Sequence, residues 1–227
     1  RRRVAGAIEL TDGRILSWSD DSTLRLWSPG GAYLRTLKGH RGDVQGAAEL
    51  SDRQLLSWSE DSTLRIWSQN GSLRTVCEGH GGPVRGAIPL RGGRVLSWSN
   101  ADSPRLWSAK GELVGTLEGH VLWGIDGATT LPDGRLLSWS ADGTLRLWSE
   151  GGAALATFSG HTCGVEGASV LQDGRILSWG GDGVGLWSAD GALLRILKTQ
   201  VSFGGAIGLV DGRVLSWSPQ YGTLSLW

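Results

Sequence analysis

The stretch Leu136-Leu-Ser-Trp-Ser-Ala-Asp-Gly-Thr-Leu-Arg-Leu-Trp-Ser149 contains the pattern on which the fold of this chain depends. Its Leu-Ser-Trp core recurs along the whole chain, and a second tryptophan follows each copy. The cores end at Trp18, Trp58, Trp98, Trp139, Trp179 and Trp217, and the second tryptophans are Trp27, Trp67, Trp107, Trp148, Trp187 and Trp227. A period of about 40 residues predicts a repeat architecture.

Each repeat is predicted to form four antiparallel strands separated by tight turns. In the second repeat the strands are Val44 to Leu50, Leu55 to Ser59, Thr63 to Trp67 and Ser72 to Cys77. Asp-Gly, Asn-Gly and Gly-Gly pairs lie between strands and supply the positive φ angles that tight hairpins need. The chain has six first, six second and six third strands but five fourth strands, so the last repeat lacks its outer strand.

A small pair and a large side chain occur together in every repeat. Each first strand contains Gly-Ala, and each second strand contains the tryptophan of the Leu-Ser-Trp core. Dense packing requires bulky groups to interleave with small ones. We therefore expect the Gly-Ala pair to make room for an indole.

These repeats resemble the blades of WD-repeat (WD40-like) β-propellers, in a variant with Trp-Ser in place of the closing Trp-Asp and with near-identical, bacterial-type copies. The resemblance covers the whole chain and implies an all-β propeller of four-stranded antiparallel blades. We expect one domain over residues 1–227, as part of a longer chain, with repeats at 1–38, 39–78, 79–118, 119–159, 160–198 and 199–227.

In that family a histidine, a serine or threonine, an aspartate and a tryptophan form a buried hydrogen-bonded set. The matching residues here are His40, Ser57, Asp61 and Trp67; His120, Ser138, Asp142 and Trp148; and His161, Ser178, Asp182 and Trp187. The chemistry is coherent, because a carboxylate accepts from an imidazole, the imidazole bonds a hydroxyl and the indole donates. The resemblance therefore implies a structural role for these residues.

Three repeats depart from this set. In the third, Ala101 stands at the aspartate position, Asp102 is displaced by one, and Pro104 interrupts the third strand. The sixth has Gln200 and Gln220 in place of the histidine and the aspartate, and the first has no histidine. We expect these three blades to be held mostly by apolar packing.

Composition argues against several classes of partner. The 22 basic and 22 acidic residues are scattered and give no net charge, so no strong field attracts nucleic acid or an anionic membrane. No apolar run has the length of a membrane span. Cys77 and Cys163 lie in distant repeats, so we expect no disulfide and a reducing, cytoplasmic compartment. The excess of arginine over lysine suggests a prokaryotic source.

The sequence offers no catalytic constellation. All four histidines occupy one repeat position, whereas an active site needs different residues that converge in distinct roles. The chain shows no metal-ligand cluster, no phosphate-binding loop and no nucleophile beside a base. We therefore predict a protein that is not an enzyme and binds no metal or cofactor.

Residues that break the repeat are the candidates for partner binding. The fourth repeat inserts one residue and contains Leu122 and Trp123, where its neighbours have polar or glycine-rich loops. Phe203 lies in the equivalent loop of the sixth repeat, and Tyr221 lies in its second-to-third turn. In the family both loops open on one face, and an aromatic patch with a polar rim is typical of an interaction site. Alternatively, these side chains fold back and fill the degenerate blade or the channel.

Charged positions mark both faces. Asp20 and Glu60 occupy one equivalent turn position and make one side of the first face acidic. At the opposite face an arginine follows most first turns, and we expect a solvated rim of Arg14, Arg94, Arg135, Arg175 and Arg213.

The sequence therefore predicts a non-catalytic scaffold or sensor propeller with a protein or peptide as its partner. By analogy, it is the recognition module of a larger signalling or defence protein, with further domains of the same chain as possible partners. The alternative is a structural assembly element that closes its ring with a strand from another chain.

The packing hypothesis makes one prediction for stability. Trp58→Ala should lower the free energy of unfolding by about 3 to 5 kcal/mol, because it removes a large buried side chain. Urea-induced unfolding measures this loss, and a near-neutral effect would contradict the packing.

Overall fold

A computed structural model describes residues 3–120, 124–198, 204–209, 213–218 and 222–227. The chain divides into two compact units, Arg1–Glu118 and Gly119–Trp227. All sheets of both units are antiparallel, and the strands of each sheet pair in chain order. Each sheet is therefore a simple meander.

Unit 1 contains three four-stranded sheets. Sheet 1 consists of β1 (Val4–Glu9), β2 (Ile15–Ser19), β3 (Thr23–Trp27) and β4 (Tyr33–Lys38). Sheet 2 consists of β5 (Val44–Glu49), β6 (Leu55–Ser59), β7 (Leu64–Trp67) and β8 (Leu73–Cys77). Sheet 3 consists of β9 (Val84–Pro89), β10 (Val95–Ser99), β11 (Arg105–Trp107) and β12 (Leu113–Thr116), with a 3₁₀ turn at Arg91–Gly93.

Unit 2 contains the other three sheets. Sheet 4 consists of β13 (Gly127–Thr130), β14 (Leu136–Trp139), β15 (Thr144–Trp148) and β16 (Ala154–Ser159). Sheet 5 consists of β17 (Val165–Val170), β18 (Ile176–Gly180), β19 (Gly183–Trp187) and β20 (Leu193–Lys198). Sheet 6 has β21 (Gly205–Gly208), β22 (Val214–Ser218) and β23 (Thr223–Leu226). The predicted repeat of four strands, with three in the last copy, is confirmed over the described residues.

The glycine of each first strand lies against the indole of the neighbouring second strand. A Cβ atom added at Gly46 would lie 2.2 Å from Cζ2 of Trp58, and one at Gly86 would lie 2.2 Å from Cζ2 of Trp98. The same clash occurs in the other sheets, at Gly6, Gly127, Gly167 and Gly205. The expected fit of a small residue to an indole is thus confirmed, and no larger side chain fits at these glycines.

In sheets 2 to 5 the tryptophan that ends the third strand is buried in the apolar core. Trp67 of sheet 2 packs in one cluster with Leu37 of sheet 1, and Trp187 of sheet 5 packs with Phe158 of sheet 4. Trp67, Trp107, Trp148 and Trp187 are each at most 2% exposed. The sheets of a unit are therefore held together by apolar contacts on both of their faces.

Both cysteines are free thiols. Cys77 is buried in the cluster between sheets 2 and 3, at the position that Leu37 and Phe158 occupy in other sheets. Burial raises the pKa of the Cys77 thiol to about 12. Cys77 is therefore an inert apolar filler, whereas Cys163 is exposed.

The last strand of unit 2 has an uncovered edge in the described part of the chain. β23 pairs with β22 alone, and its Leu224 and Leu226 are 71% and 51% exposed. The equivalent Leu64 and Ile66 of β7, which has a fourth strand beside it, are at most 1% exposed. The assembly alternative, in which another chain supplies a strand, stays a prediction.

The glycine contacts predict a position-specific effect of a single methyl group. Gly86→Ala should lower the free energy of unfolding by about 1 to 3 kcal/mol, because its Cβ overlaps the Trp98 indole. Chemical denaturation monitored by tryptophan fluorescence measures this change.

Gly115→Ala is the matched control, because that strand glycine has no atom within 4 Å of an added Cβ and no strained φ. It should change stability by less than about 0.5 kcal/mol. The penalty at Gly86 should also shrink when Trp98 is already leucine. Equal penalties in both backgrounds would show that the indole is not the cause.

Candidate functional site

The serine of each Leu-Ser-Trp core lies at the centre of a hydrogen-bonded network. In sheet 2 the Trp67 indole N–H donates to Ser57 Oγ over 2.9 Å, and His40 Nε2 lies 2.8 Å from the same oxygen. His40 Nδ1 lies 2.9 Å from Asp61 Oδ2. A carboxylate only accepts, so Nδ1 carries the proton, Nε2 accepts, and the serine hydroxyl donates to it.

Sheets 4 and 5 have the same network. His120 lies 2.9 Å from Asp142 and 2.8 Å from Ser138, and Trp148 donates to that serine over 2.9 Å. In sheet 5 the three matching distances are 2.6, 2.7 and 2.7 Å, among His161, Asp182, Ser178 and Trp187. The structure thus brings together all twelve residues that the resemblance placed in these sets.

The third repeat also has a complete network, although its sequence departs from the expected set. His80 Nδ1 lies 2.7 Å from Asp102 Oδ1, and His80 Nε2 and the Trp107 N–H each lie 2.7 Å from Ser97 Oγ. Pro104 delays the start of β11 until Arg105, which lengthens the preceding turn. The longer turn lets Asp102 replace the carboxylate that Ala101 lacks.

The first and sixth repeats have only the tryptophan–serine part of the network in the described residues. Trp27 donates to Ser17 over 2.9 Å, and Trp227 donates to Ser216 over 2.8 Å. In sheet 1 the aspartate of the set, Asp21, forms an ion pair of 2.7 Å with Arg25 instead of a hydrogen bond with a histidine. Gln200 and Gln220 of the sixth repeat lie outside the described residues.

These Asp–His–Ser groupings have the connectivity of a hydrolytic triad, but substrate cannot reach them. The hydroxyl of Ser57 is occupied by an indole donor, and the serine is 0% exposed, as are Ser97, Ser138 and Ser178. A nucleophile must contact the reacting atom. The four networks are therefore structural.

Burial and hydrogen bonds together shift the pKa values of several groups in these networks. Burial raises the pKa of Asp102, but hydrogen bonds from Ser99, His80 and the Gly81 N–H outweigh burial and lower that pKa to about 2. The pKa of Asp61 is likewise held well below its ordinary value. Burial lowers the pKa of His80 and of His120, an effect that their carboxylate partners only partly offset. The networks of His80 and His120 thus favour a neutral imidazole beside an ionised carboxylate.

Each sheet has two ends. We call one of them the loop end, and it contains the turn between the second and third strands and the loop before the first strand. In sheet 2 these two segments touch, because the Glu60 N–H donates to the Asp43 carbonyl over 3.0 Å. The Glu60 carboxylate accepts from Gln45 Nε2 at 3.1 Å and lies 3.7 Å from Arg85 of sheet 3. Asp20 lies at the equivalent position, where its N–H donates to the Arg3 carbonyl. Neighbouring polar groups therefore partly compensate the negative charge at Glu60.

The loop end of unit 2 has a depression of about 410 Å³. The described residues that line it include two acids and no base, and they are Asp126, Ala141, Cys163, Gly164, Val165, Glu166 and Gly181. Burial raises the pKa of Asp126, and the charges of Asp142 and Glu166 raise it further, against a hydrogen bond from the Ala141 N–H. This depression therefore combines negative charge with small and apolar side chains.

Sequence reasoning did not single out Asp126 and Glu166. Both occupy the exposed position just before the Gly of the Gly-Ala pair, where sheets 2 and 3 have Gln45 and Arg85. The change of residue type before each Gly-Ala pair, within an otherwise regular repeat, could have identified them as candidates for binding. The predicted partner-binding residues Leu122, Trp123, Phe203 and Tyr221 lie outside the described residues, so their assignment stays a prediction.

Comparisons with known proteins agree with this geometry. The family profile described as WD40, WD domain, G-beta repeat, matches residues 31–68 and 111–149, and each match contains one complete four-residue set. Among solved structures, the crystal structure of the WD40 β-propeller domain of Doa1 is similar, with a TM-score of 0.64 and 22% identity over 99% of this chain and 92% of that chain. The chain has the fold of a β-propeller. No curated protein sequence matches it.

Proteins with this fold share a common role. WD40 propellers generally mediate protein–protein interactions and are typically non-enzymatic scaffolds. In the described ranges no group of three or more His, Cys, Asp and Glu residues is arranged to hold a metal ion. No helix among the described residues is long and apolar enough to cross a membrane.

The networks predict that acid destabilises the protein. The unfolded chain protonates its histidines near pH 6.5, whereas His80 and His120 in the folded chain bind the proton only at lower pH, so stability falls as pH drops below about 6.5. The unfolded chain protonates Asp102 near pH 3.8 and the folded chain near 2, so a second loss follows over that range. Urea melts from pH 7 to pH 2 measure both losses.

A double variant isolates the contribution of sheet 3. His80→Asn with Asp102→Asn should flatten the dependence of the unfolding free energy on pH, because two titrating groups with shifted pKa values are removed. Glu112→Gln, at an exposed carboxylate outside the networks, is the control and should leave the slope unchanged. An unaltered slope in the double variant would rule out the network as its origin.

Proposed function

We propose that the chain is a binding platform for a protein or peptide, and that the partner docks at the loop end of unit 2. The observation that carries this proposal is the depression with Asp126 and Glu166 at its wall. Asp126 follows closely in the sequence after residues 121–123, which include Leu122 and Trp123. Acidic and bulky apolar residues are thus close together in the sequence, and many interaction sites combine both.

Comparison of the two units supports the location. Three equivalent positions hold Gln45, Glu60 and Arg85 in unit 1, but Asp126, Ala141 and Glu166 in unit 2. In unit 1 the single carboxylate lies beside a guanidinium and an amide that compensate it. In unit 2 the central side chain is reduced to a methyl group, and the outer positions are both acidic. A cationic side chain from a partner is the group that complements this arrangement.

Electrostatics support the same choice of partner. Burial raises the pKa of Asp126 most, and the charges of Asp142 and Glu166 raise it further, so negative charge at this site is costly. A bound lysine or arginine would relieve the repulsion, and its aliphatic stem would pack on the exposed Ala141. We therefore propose a partner segment with a basic residue next to a bulky apolar one, which Leu122 and Trp123 would contact.

The wider role remains the one that the sequence predicts. A recognition or sensor module of a larger signalling or defence protein needs a binding surface of this kind, and the platform proposal is compatible with it. A prokaryotic source, a cytoplasmic location and binding to further domains of the same chain stay predictions as well.

A peptide-display selection against the immobilised protein tests the proposal. Selected peptides should be enriched in Lys or Arg beside an aromatic or aliphatic residue, and Asp126→Lys with Glu166→Lys should weaken their binding by at least about tenfold, because attraction becomes repulsion. Leu122→Ser with Trp123→Ser should abolish capture. Far-UV circular dichroism should show that both variants remain folded.

Asp190→Lys is the matched control for the charge reversal. Asp190 is exposed and lies at the opposite end of sheet 5, so its replacement should leave binding unchanged. Selected peptides without basic residues, or peptides that bind the Asp126/Glu166 variant equally well, would refute the proposed site.

A further inference from the structure

The opposite end of each sheet, called the hairpin end, has the first-to-second and the third-to-fourth turns. In unit 1 two arginines of sheet 1 reach the hairpin at residues 68–72 of sheet 2. Arg14 is held by Asp12, Nε to Oδ2 2.8 Å, and its Nη1 donates to the Gln69 carbonyl over 3.0 Å. Arg35 Nη1 donates to the Asn70 carbonyl over 3.0 Å. The expected solvated rim is therefore wrong for Arg14, which links two sheets.

Unit 2 has a link equivalent to that between Arg14 and the Gln69 carbonyl. Arg135 of sheet 4 is held by Asp133 at 2.7 Å and donates through Nη1 to the Ala189 carbonyl of sheet 5 over 3.2 Å. Ala189 and Gln69 occupy the same hairpin position. The acceptor is a main-chain oxygen, so the link does not depend on which side chain the hairpin has. This end of a sheet is thus a recurrent acceptor site for a guanidinium group.

Between sheets 2 and 3 both arginines are replaced. Gln54 stands at the position of Arg14, and Thr75 stands at the position of Arg35. The Gln54 amide turns back to the Asp52 carboxylate of its own turn and does not bridge to sheet 3. The acceptors of the neighbouring hairpin, at Ala109 and Lys110, remain at the positions of Gln69 and Asn70.

The residues of a second inter-sheet link are also replaced between sheets 2 and 3. Between sheets 1 and 2 the Thr11 hydroxyl donates to Glu49 over 2.9 Å, and the Thr11 N–H donates to the same carboxylate over 2.7 Å. The equivalent positions at the next junction are Ser51 and Pro89, and proline has no carboxylate to offer. The hairpin end is therefore open between sheets 2 and 3.

The opening is a cleft of about 850 Å³ whose lining includes Asp52, Gln54, Thr75 and Ala109. It does not arise from separation of the sheets. A Cβ added at Gly111 would lie 2.9 Å from Cys77 Sγ, and one at Gly71 would lie 2.9 Å from Leu37 Cδ1 at the closed junction. The interior is closely packed at both junctions, and the cleft lies where the shorter side chains of Gln54 and Thr75 replace two arginines.

We propose that this cleft binds an arginine side chain of a partner protein, whose guanidinium takes the place that Arg14 occupies one sheet earlier. The Asp52 carboxylate and the Ala109 carbonyl are the acceptors, as Asp12 and the Gln69 carbonyl are for Arg14. A planar guanidinium satisfies a carboxylate and a carbonyl at once, which an ammonium group does less well. The site is separate from the loop end and does not depend on the function proposed there.

Two cations, Arg74 and Lys110, also line the cleft, and both are exposed. Their charge reduces any long-range attraction for a cationic guest. Recognition therefore depends on directed hydrogen bonds to the acceptors and not on net charge. The junction of sheets 1 and 2 shows that such crowding is tolerated, because Arg14 and Arg35 donate to consecutive carbonyls of one hairpin there.

Titration with acetyl-Gly-Arg-Gly-amide, followed by NMR of the full chain, tests the proposal. The amide signals of residues 108–112 and of Gln54 should shift in a saturable manner. The matched lysine peptide should bind at least about tenfold more weakly, and the citrulline peptide should not bind. Gln54→Arg with Thr75→Arg copies the side chains of sheet 1, so it should fill the cleft, abolish binding and raise the thermal midpoint.

Gln45→Arg is the control for added charge, because it places an arginine on the same sheet at the loop end. It should leave peptide binding intact. The proposal is overturned if the arginine peptide causes no shifts at residues 108–112, if lysine binds as well as arginine, or if the filled variant still binds. Binding of the matched glutamate peptide at this hairpin in preference to arginine would also overturn it.

Discussion

The hydrogen bond from a third-strand indole to a second-strand serine is the interaction on which the rest of this structure depends. It occurs in all six sheets over the described residues, between Trp27 and Ser17 in the first and between Trp227 and Ser216 in the last. A buried indole N–H needs an acceptor, and a buried hydroxyl needs a donor. In sheets 2 to 5, where both groups are buried, each satisfies the other, so a large indole is buried without an orphaned polar group.

The histidine and aspartate extend this bond where the chain provides them. They tie the loop before each first strand to the turn after the second, as His40 and Asp61 do in sheet 2. Sheet 3 achieves the same result with Asp102, one residue further along a longer turn. The network therefore requires a carboxylate within hydrogen-bonding distance of the imidazole. The carboxylate can come from either of two adjacent sequence positions.

The core residues are nearly the same in every repeat, so differences in binding between the sheets must come from residues outside the core. The equivalent exposed positions before the Gly-Ala pairs differ from sheet to sheet, and Gln45, Arg85, Asp126 and Glu166 give each loop end its own charge. The hairpin ends vary in the same manner, with Arg14 and Arg135 in two links and Gln54 in an open one. A repeat fold can vary such residues without losing its architecture, because the apolar packing between sheets does not depend on them.

The sequence by itself determined the strand pattern, the number of sheets and the pairing of small glycines with indoles, because turn chemistry, alternation and the period are local properties of the chain. It also identified three of the four complete networks, since their members recur at nearly constant spacing. Only the tertiary structure decided that Asp102 completes the fourth, that Arg85 partly compensates Glu60, that Asp126 and Glu166 share one depression, and that Gln54 leaves a cleft. Each of these depends on which side chains of neighbouring sheets meet, and that proximity is set by the packing of sheets, which no single repeat encodes.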